Sequence, residues 1–212
     1  MNETRKKLYD EWRERYANDP AKAVGWRNQE SLDARFRCTV NHISHKNLDG
    51  LRVLDYGCGT SLNLLRYLRG DYIYTGVDCN KESLERAAVE WRLPLNRTYK
   101  EIKGSQLIED EFLEKVSGYK FDIIIVQGVY QEFDDIESVR ANVNKLANML
   151  APGGELLIMT PTNRVLDAEG KSVLRLSAYD AVSILESTGL PYELCLGELG
   201  EHLIMKVMAK KV

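Results

Sequence analysis

From residue 51 onward, the chain alternates between short apolar runs and longer segments in which apolar residues recur every three or four positions. The short runs are typical of buried strands, and the periodic segments are typical of helices that cover a sheet. The pattern predicts strands at 51–55, 72–77, 98–102, 121–126, 154–160, 192–196 and 201–208. It predicts helices at 61–69, 81–92, 108–116, 136–150 and 177–188.

Two of these helices carry clear boundary signals. Asn80 stands where a helix N-cap is needed, and Pro94 follows the end of the same helix. Ser177 and Asp180 form a capping pattern at the start of the last helix. The helix after Asn80 is amphipathic, and its apolar face comprises Leu84, Ala87, Ala88 and Trp91.

Strands that alternate with helices predict a mainly parallel sheet with helices on both faces, because parallel strands need a crossover connection. The last two strands are joined only by Gly197–Gly200, so they must pair antiparallel. The predicted fold class is therefore α/β, with a seven-stranded, mostly parallel sheet that ends in an antiparallel hairpin.

The segment before this alternation is predicted to be a helical cap at 1–48, followed by a core at 49–212. Its first helix spans 3–18, and its second spans about 29–46 with an apolar face of Leu32, Phe36, Val40 and Ile43. The cap is rich in aromatic residues, namely Tyr9, Trp12, Tyr16, Trp26 and Phe36. Two interpretations stay open for them, a lid over a ligand or packing of helices against the sheet.

Composition narrows the classes of function. At 212 residues with 44% hydrophobic residues, the chain is expected to form one domain around one core. A net charge of −3 gives no bulk attraction to nucleic acid, so a nucleic-acid partner is not expected.

The sequence also bears on the cellular location of the protein and on its membrane and subunit partners. Met1–Lys7 is polar, which predicts no signal peptide, and the longest aliphatic runs are too short to span a membrane. The oligomeric state has no signature in the sequence. Four isolated cysteines predict a reduced chain in the cytoplasm, and these are Cys38, Cys58, Cys79 and Cys195.

The segment Leu51–Leu62 is the strongest candidate for a binding site. Its first strand carries the acid Asp55, and Gly57 and Gly59 follow before the next predicted helix. A strand, a glycine loop and a helix in this order surround an anionic or carboxylate-bearing ligand with backbone N–H groups. Glycine is needed because a Cβ atom would block close approach and penalise a positive φ.

A second acid, Asp78, ends the second predicted strand. An acid at this tip can accept hydrogen bonds from both hydroxyls of a ribose. The alternative is a solvated or helix-capping aspartate.

These motifs resemble those of the class I S-adenosylmethionine-dependent methyltransferases. Phe121–Phe133 is similar to the family's fourth-strand motif, and Leu150–Ile158 to the turn and fifth strand, so the resemblance covers about residues 50–160. It implies a Rossmann-like fold, S-adenosylmethionine as cofactor and methyl transfer. The residues that it assigns to cofactor binding are Asp55, Gly57, Cys58, Gly59, Asp78, Cys79, Gln127 and Gly128.

Two departures from the family pattern matter. Ser61 stands where many members have a third glycine. Many members also carry an acid after the third strand that contacts the adenine amino group. The segment after the predicted third strand offers Ser105 and Gln106 instead, and we expect these two residues to contact adenine.

A nicotinamide-binding fold is the main rival for the glycine loop. Its G-x-G-x-x-G fingerprint would need glycine where this chain has Leu62. Asp55 suits the positive amino group of S-adenosylmethionine but would repel two phosphates. We therefore prefer S-adenosylmethionine.

The cap also carries a family resemblance. Gly25-Trp26 followed by Arg35-Phe36 resembles an N-terminal pattern of some members that act on small molecules. The resemblance implies that Trp26 and Arg35 contact the cofactor, with Arg35 clamping its carboxylate. A structural or surface arginine is the alternative.

Methyl transfer chiefly requires positioning, and a base helps if the acceptor is a hydroxyl or a protonated amine. Tyr130, Gln131 and Glu132 follow the fourth strand, and we predict Tyr130 and Glu132 as catalytic residues. Glu132 is equally compatible with a surface acid at the start of the next helix.

A metal site is not predicted. Cys38, His42 and His45 have the spacing of one helical face, but no fourth ligand is evident and methyl transfer needs none.

The sequence therefore predicts a cytoplasmic, class I methyltransferase that acts on a small molecule. The longest stretch between core elements, 161–176, is short, which favours a compact acceptor. The alternatives are a methyltransferase of tRNA or protein, a non-catalytic sensor or regulatory subunit that binds S-adenosylmethionine, and an enzyme of the same fold with other chemistry.

Overall fold

The computed structural model describes residues 28–45, 47–59, 63–95, 104–110, 113, 118–161, 174–197 and 202–210. The predicted helix at 3–18, the predicted strand at 98–102 and Trp26 lie outside these residues. Four α-helices are described, namely α1 (Gln29–Asn41), α2 (Lys81–Trp91), α3 (Ile136–Ala147) and α4 (Ala178–Ser187). Short 3-10 turns occupy Asn63–Arg66 and Tyr130–Glu132.

Seven strands form one sheet. They are β1 (Arg52–Tyr56), β2 (Ile73–Asp78), β3 (Gln106–Glu109), β4 (Phe121–Gln127), β5 (Leu150–Pro161), β6 (Tyr192–Leu196) and β7 (His202–Met208). Their order is β3-β2-β1-β4-β5-β7-β6. β1 to β5 pair in parallel, and β7 pairs antiparallel with both β5 and β6. The predicted fold class is confirmed.

Both predicted helix boundaries are confirmed. The Asn80 side chain accepts a hydrogen bond of 2.8 Å from Ser83 N and caps α2. Ser177 and Asp180 form a reciprocal capping box at the start of α4.

The strand that pairs with β2 lies further along the chain than the third predicted strand. β2 pairs with Gln106–Glu109. The first two of these residues precede the predicted helix at 108–116, and the last two fall within it. Four residues are too few for periodicity to distinguish a strand from a helix, so pairing with β2 decides the structure here.

Two predicted helices are shorter in the structure. In place of 61–69, the described residues contain only the 3-10 turn Asn63–Arg66. In place of 29–46, α1 ends at Asn41, and His42 is its C-cap. His42 and His45 therefore do not continue a helical face with Cys38.

The two faces of the sheet bury separate apolar clusters. Side chains alternate along a strand, so Val53 of β1 packs on one face with α1, and Leu54 packs on the other with α3 and α4. β4 repeats this alternation, with Ile123 toward α1 and Ile124 toward α3. Covering both faces leaves the carboxyl edge of the sheet as the place where polar groups can meet a ligand.

Among the described residues, no helix is both long enough and apolar enough to cross a membrane. The four cysteines are all described, and none forms a disulfide.

Candidate functional site

The strand register brings the predicted acids to one edge of the sheet. Tyr56 at the end of β1 is level with Val77 of β2 and with Val126 of β4. Asp78 at the end of β2 is level with Glu109 at the end of β3. The residues that follow these strands therefore form one row, which is where parallel α/β sheets bind ligands.

Gly57 starts the loop at the end of β1. Its N–H and that of Cys58 donate to the Val77 carbonyl at 2.7 and 2.9 Å, which folds the loop toward β2. Gly57 has a φ of +82°, and a Cβ atom there would lie 2.2 Å from Cγ2 of Val129. Only glycine satisfies both the backbone conformation and the close approach.

Asp78 holds the other side of this loop. Its Oδ2 accepts a hydrogen bond of 2.9 Å from Gly59 N, and its Oδ1 accepts one of 2.8 Å from Asn80 N. Asn80, not Asp78, caps α2, which removes the capping alternative. Each carboxylate oxygen has a second lone pair, so Asp78 can still accept from a ligand. Cys79 follows it and is exposed.

Asp55 is buried within β1, beside the loop. The hydroxyl of Tyr74 on β2 donates to Asp55 Oδ2 at 2.8 Å. Burial raises the pKa of Asp55 to about 7, the nearby charge of Asp78 adds to the increase, and the hydrogen bond from Tyr74 opposes it. A cation placed beside this carboxyl would favour its ionised form.

Ser105 and Gln106, which are predicted to contact adenine, lie away from the carboxyl edge, and this position argues against the contact. Gln106 is level with Thr75, three residues before Asp78, so it lies about 10 Å from the carboxyl edge. The Ser105 hydroxyl instead accepts a hydrogen bond from Tyr74 N at 3.0 Å. Ser105 precedes β3 and Gln106 is its first residue, whereas an adenine contact requires a residue that follows the strand.

The acid that follows β3 is Asp110, which is not among the residues predicted from the sequence. Its Oδ1 is buried and has no hydrogen-bond partner within the described part of the chain. An acid therefore does follow the third strand in this chain. A signal was present, because Leu107 and Ile108 precede Glu109 and Asp110 just as apolar residues precede Asp55.

Gln127 ends β4 on the face covered by α1. Its Oε1 accepts a hydrogen bond of 3.0 Å from the Thr39 hydroxyl, while its Nε2 is buried without a partner among the described residues. The next residue, Gly128, donates its N–H to the Met159 carbonyl at 3.1 Å. The side chain of Gln127 therefore offers an unpartnered amide nitrogen, with two N–H donors, near the carboxyl edge.

Arg35 contacts a different part of the edge from the one predicted. Its Nε donates a hydrogen bond of 3.1 Å to His202 Nε2, and its Nη1 donates to the Ser31 hydroxyl. His202 is level with Pro161 of β5. These contacts direct Arg35 toward β5 and β7, on the far side of β4 from the glycine loop.

His202 is neutral in this arrangement. Burial, with a smaller contribution from the positive charge of Arg35, lowers the pKa of His202 to about 4. Because Nε2 accepts from Arg35, the ring proton resides on Nδ1. His202 therefore presents a hydrogen-bond donor at Nδ1.

The predicted catalytic residues have different environments. Tyr130 is 1% exposed, and its hydroxyl donates to Asn142 Oδ1 at 2.9 Å. A phenol buried in the core cannot reach a substrate, so the structure argues against a catalytic Tyr130. Glu132 is half-buried at the end of the 3-10 turn. Asp135, and not Glu132, is the N-cap of α3. A catalytic Glu132 stays a prediction.

At least one aromatic residue of the helical cap, Phe36, packs against the core. It is buried and stacks on Tyr67, with ring centroids 5.8 Å apart. The other four aromatic residues lie outside the described residues. In the part of the chain that the structure describes, no group of three or more His, Cys, Asp or Glu side chains has metal-binding geometry.

A family model described as a methyltransferase domain matches residues 1–188 of this chain. The chain belongs to this methyltransferase family. The match includes every strand from β1 to β5 and all four described helices, and it confirms the family resemblance seen in the glycine loop and the acids.

Two curated relatives of this methyltransferase chain are named ubiquinone biosynthesis O-methyltransferase. The protein from Agrobacterium fabrum is 29% identical over 134 residues, which are 63% of this chain and 49% of the relative. The protein from Chelativorans sp. is 31% identical over 132 residues, which are 61% of this chain and 47% of the relative. The chain thus spans about half the length of these relatives.

Solved structures show the same fold. Magnesium protoporphyrin IX methyltransferase from Synechocystis, with bound S-adenosylhomocysteine, has a TM-score of 0.61 at 16% identity. The superposition covers 90% of this chain and 85% of that chain. The CurJ carbon methyltransferase has a TM-score of 0.64 at 15% identity, with 92% of this chain and 59% of its own covered. At these identities the likeness concerns the fold alone.

Proposed function

We propose that this protein is an S-adenosylmethionine-dependent methyltransferase that acts on a small molecule. The observation that carries the proposal is the row of three acids at the carboxyl edge, Asp55, Asp78 and Asp110, around a glycine loop that tolerates no side chain at Gly57. Family membership supports the same conclusion.

The groups present fit this cofactor. S-adenosylmethionine carries an ammonium, a ribose diol and an adenine amino group, which are all hydrogen-bond donors. Asp55 would accept a hydrogen bond from the ammonium, Asp78 from the ribose hydroxyls, and Asp110 from the adenine amino group. The Oδ1 atom of Asp110 has no hydrogen-bond partner among the described residues. A dinucleotide would instead bring two phosphates toward Asp55 and Asp78, where like charges repel.

Bound S-adenosylmethionine would supply a methyl group that is already activated by a positive sulfur. The task of the chain is then to orient the acceptor and exclude water, and positioning of this kind supplies roughly 7–11 kcal/mol. Gln127 and Gly128 lie at the end of β4, between the acids and the side of the edge that carries Arg35. Glu132 would accept the proton of a hydroxyl or ammonium acceptor.

The acceptor is proposed to carry oxygen atoms. The Nδ1–H of His202 and the unpartnered Nε2 of Gln127 are donors on the same side of the edge, beyond β4 from the glycine loop. Donors of this kind suit a carboxylate, a phenolate or a carbonyl. The curated relatives are named as O-methyltransferases, which agrees with an oxygen-bearing acceptor. The four free cysteines favour the cytoplasm as the location.

The first experiment measures thermal unfolding with S-adenosylhomocysteine and with NAD. At about 100 times its Kd, S-adenosylhomocysteine should stabilise the protein by about 2.7 kcal/mol. This corresponds to roughly 5–11 °C in Tm at about 2–4 °C per kcal/mol. An equal shift with NAD and none with S-adenosylhomocysteine would reverse the proposal.

The second experiment identifies the acceptor. Methyl-labelled S-adenosylmethionine is incubated with the protein and with fractions of small molecules, RNA and protein from cells. A labelled small molecule supports the proposal, whereas label in tRNA or protein would favour the alternative substrates. Tight cofactor binding without any labelled product would indicate a sensor or regulatory subunit.

A further inference from the structure

β6 forms one edge of the sheet, and in the described part of the chain only β7 pairs with it. Edge strands that stay free in solution usually carry lysine, proline or a bulge, which prevents pairing with another chain. The sequence Tyr-Glu-Leu-Cys-Leu of β6 has neither lysine nor proline, and its register with β7 is continuous. At the opposite edge of the sheet, a bridge from Leu95 to Leu107 covers β3. β6 is therefore the edge that is open to a partner strand.

The backbone hydrogen bonds to β7 show which groups of β6 point outward. Gly197 N donates to the His202 carbonyl at 2.8 Å, and Met208 N donates to the Pro191 carbonyl at 2.9 Å. In an antiparallel pair, alternate residues of a strand bond to the same neighbour. The odd-numbered residues of β6 therefore bond to β7. The outward N–H and carbonyl groups belong to the even-numbered residues, which are Tyr192, Leu194 and Leu196.

The same three residues carry apolar side chains on one face of the sheet, because side chains alternate along a strand. Tyr192 and Leu196 are exposed, the latter to 65%, and Leu194 between them is half-buried against the core cluster that includes α4. Together with Tyr179 at the start of α4, Tyr192 and Leu196 are three of the four large hydrophobic residues that are exposed in the described part of the chain. Exposed apolar side chains that concentrate in one place mark an interaction site.

A second copy of β6 fits this edge. A two-fold axis perpendicular to the sheet keeps each face on its own side, so a residue can oppose only a residue that faces the same way. With the axis at Leu194, Leu194 opposes its own copy, and Tyr192 opposes Leu196 of the second copy. All outward N–H and carbonyl groups of β6 then have partners within the two strands. No other position of the axis achieves this.

The charges favour the same register. Glu193 is the only charged residue of β6, and with the axis at Leu194 it opposes Cys195 of the second copy. An axis at Glu193 would bring two carboxylates face to face, and like charges directly opposite each other destabilise a sheet. An axis at Cys195 would leave Tyr192 beyond the end of the second strand. The edge is thus complementary to itself in hydrogen bonds, apolar contacts and charge.

We propose that the protein forms a symmetric dimer in which the β6 strands of two copies pair antiparallel about Leu194 and join the two sheets into one. β7, β5 and β4 separate this interface from the glycine loop that follows β1. The dimer does not depend on the proposed function, because it uses no residue of the proposed cofactor site.

Sedimentation velocity of the full chain at several concentrations measures the mass. We expect a species with twice the 24.2 kDa of one chain. Leu196→Lys and Tyr192→Glu each place a charge opposite an apolar residue, and the two-fold axis repeats the change. Each should therefore raise the dissociation constant of the dimer about tenfold or more. Both positions are exposed in one copy, so the Tm of the chain should change little.

The double variant Tyr192→Glu, Leu196→Lys tests the register. Across the axis, each new glutamate opposes a new lysine, so the dimer should be restored. Within one strand the two positions are about 13 Å apart, which is too far for a direct ion pair. Val89→Lys is the matched control, since Val89 is 81% exposed on α2, and it should leave the mass unchanged.

A disulfide provides a second measurement that also detects a weak dimer. Glu193 and Cys195 of the second copy form a non-hydrogen-bonded pair, in which Cα atoms lie about 4.5 Å apart, within the range of a disulfide. Glu193→Cys treated with diamide, which oxidises two thiols to a disulfide, should therefore give a cross-linked dimer in a non-reducing gel. Cys195→Ser in the same background should abolish this dimer. The wild-type chain, which retains the exposed Cys79, measures the background.

Dissociation of both single variants and restoration in the double variant would support the dimer. A wild-type chain that stays monomeric at every concentration, together with a Glu193→Cys variant that does not cross-link, would overturn it. A dimer that survives both single charge changes lies at another surface and overturns the proposal as well. A double variant that stays dissociated would overturn the register about Leu194.

Discussion

The backbone N–H of Gly59 donates a hydrogen bond of 2.9 Å to Oδ2 of Asp78, which joins the glycine loop of β1 to the end of β2. Asp78 thus has two tasks, since the carboxylate that would accept the ribose hydroxyls also fixes the loop. This hydrogen bond brings two motifs that are separate in the sequence into one proposed site.

Replacement of Asp78 should weaken cofactor binding without unfolding the protein. Asp78→Asn keeps the shape of the side chain but replaces one acceptor oxygen by a donor, which would face either Gly59 N or Asn80 N. We expect the affinity for S-adenosylhomocysteine to fall about 10- to 100-fold, since charged hydrogen bonds contribute about 1.5–3 kcal/mol each. Isothermal calorimetry measures this change.

Asp49→Asn provides the control for Asp78. Asp49 also accepts a backbone hydrogen bond, from Asp71 N, but it lies before β1 at the opposite edge of the sheet. Its replacement should leave the affinity unchanged. An Asp78→Asn variant with wild-type affinity would remove Asp78 from the binding site.

Gly57 should not tolerate alanine. Gly57→Ala combines a φ of +82° with a Cβ atom 2.2 Å from Val129, so it should destabilise the protein and reduce cofactor affinity. Gly50→Ala is the matched control, because Gly50 has a similar φ of +74° but open space around its Cβ position. Gly50→Ala should cost only the conformational strain, about 1–2 kcal/mol in the free energy of unfolding.

Urea unfolding compares the two glycine variants. The difference between them isolates the steric contact, and Val129→Ala in the Gly57→Ala background should recover part of the loss. Equal destabilisation of both single variants, with unchanged binding, would show that the contact with Val129 is unimportant.

The buried carboxyl of Asp55 predicts a pH dependence of stability. Its pKa in the folded protein is about 7, against about 3.9 for an unfolded aspartate. The folded state therefore holds a proton that the unfolded chain releases, so stability is lost as pH rises through this interval. Relative to Asp55→Asn, the wild-type protein should lose up to about 4 kcal/mol between pH 4 and 8.

Chemical denaturation at several pH values measures this difference. Binding provides a second measurement, because a ligand ammonium favours the ionised carboxyl. Near pH 7, S-adenosylhomocysteine should release a proton on binding, detected as a heat that depends on the ionisation enthalpy of the buffer. The Asp55→Asn variant should show no such release, and a wild-type protein without proton release would contradict the contact between Asp55 and the ammonium.

A buried ion pair attaches the end of α1 to the sheet. Lys206 Nζ lies 2.8 Å from Glu155 Oε2, with side chains 8% and 3% exposed, and it also donates to the His42 carbonyl. Glu155 Oε1 accepts from Ser44 N at 2.8 Å. Lys206→Met leaves Glu155 uncompensated and should cost about 3–5 kcal/mol in the free energy of unfolding.

The double variant Lys206→Met, Glu155→Leu removes both charges and should recover much of this loss. Glu137→Gln is the surface control, since its partner Arg140 is also partly exposed, and it should cost at most about 1 kcal/mol. If Lys206→Met costs no more than Glu137→Gln, the buried pair does not attach α1.

Much of the fold follows from local pattern. The apolar runs of β1, β2, β4 and β5 are long or clearly bounded, and the periodic apolar positions of α2 are followed by Pro94. Whether each of these segments is a strand or a helix is determined by its own sequence. A buried strand needs a continuous apolar run, and a helix with one buried face needs an apolar residue every three or four positions. The glycine loop and the acids Asp55 and Asp78 were found for the same reason, since each belongs to a contiguous motif.

The remaining parts depend on contacts between distant segments. β3 is only four residues long, and its pairing with β2 decides both its position and the identity of Asp110 as the acid that follows it. Arg35 meets His202 across 167 positions of sequence, and Tyr130 meets Asn142 in the core. The sequence by itself determined the order of most elements, the glycine loop and two of the three acids of the proposed cofactor site. Only tertiary structure decided the third acid and the roles of Arg35 and Tyr130, because burial and hydrogen-bond partners arise when the strands align and the helices pack against them.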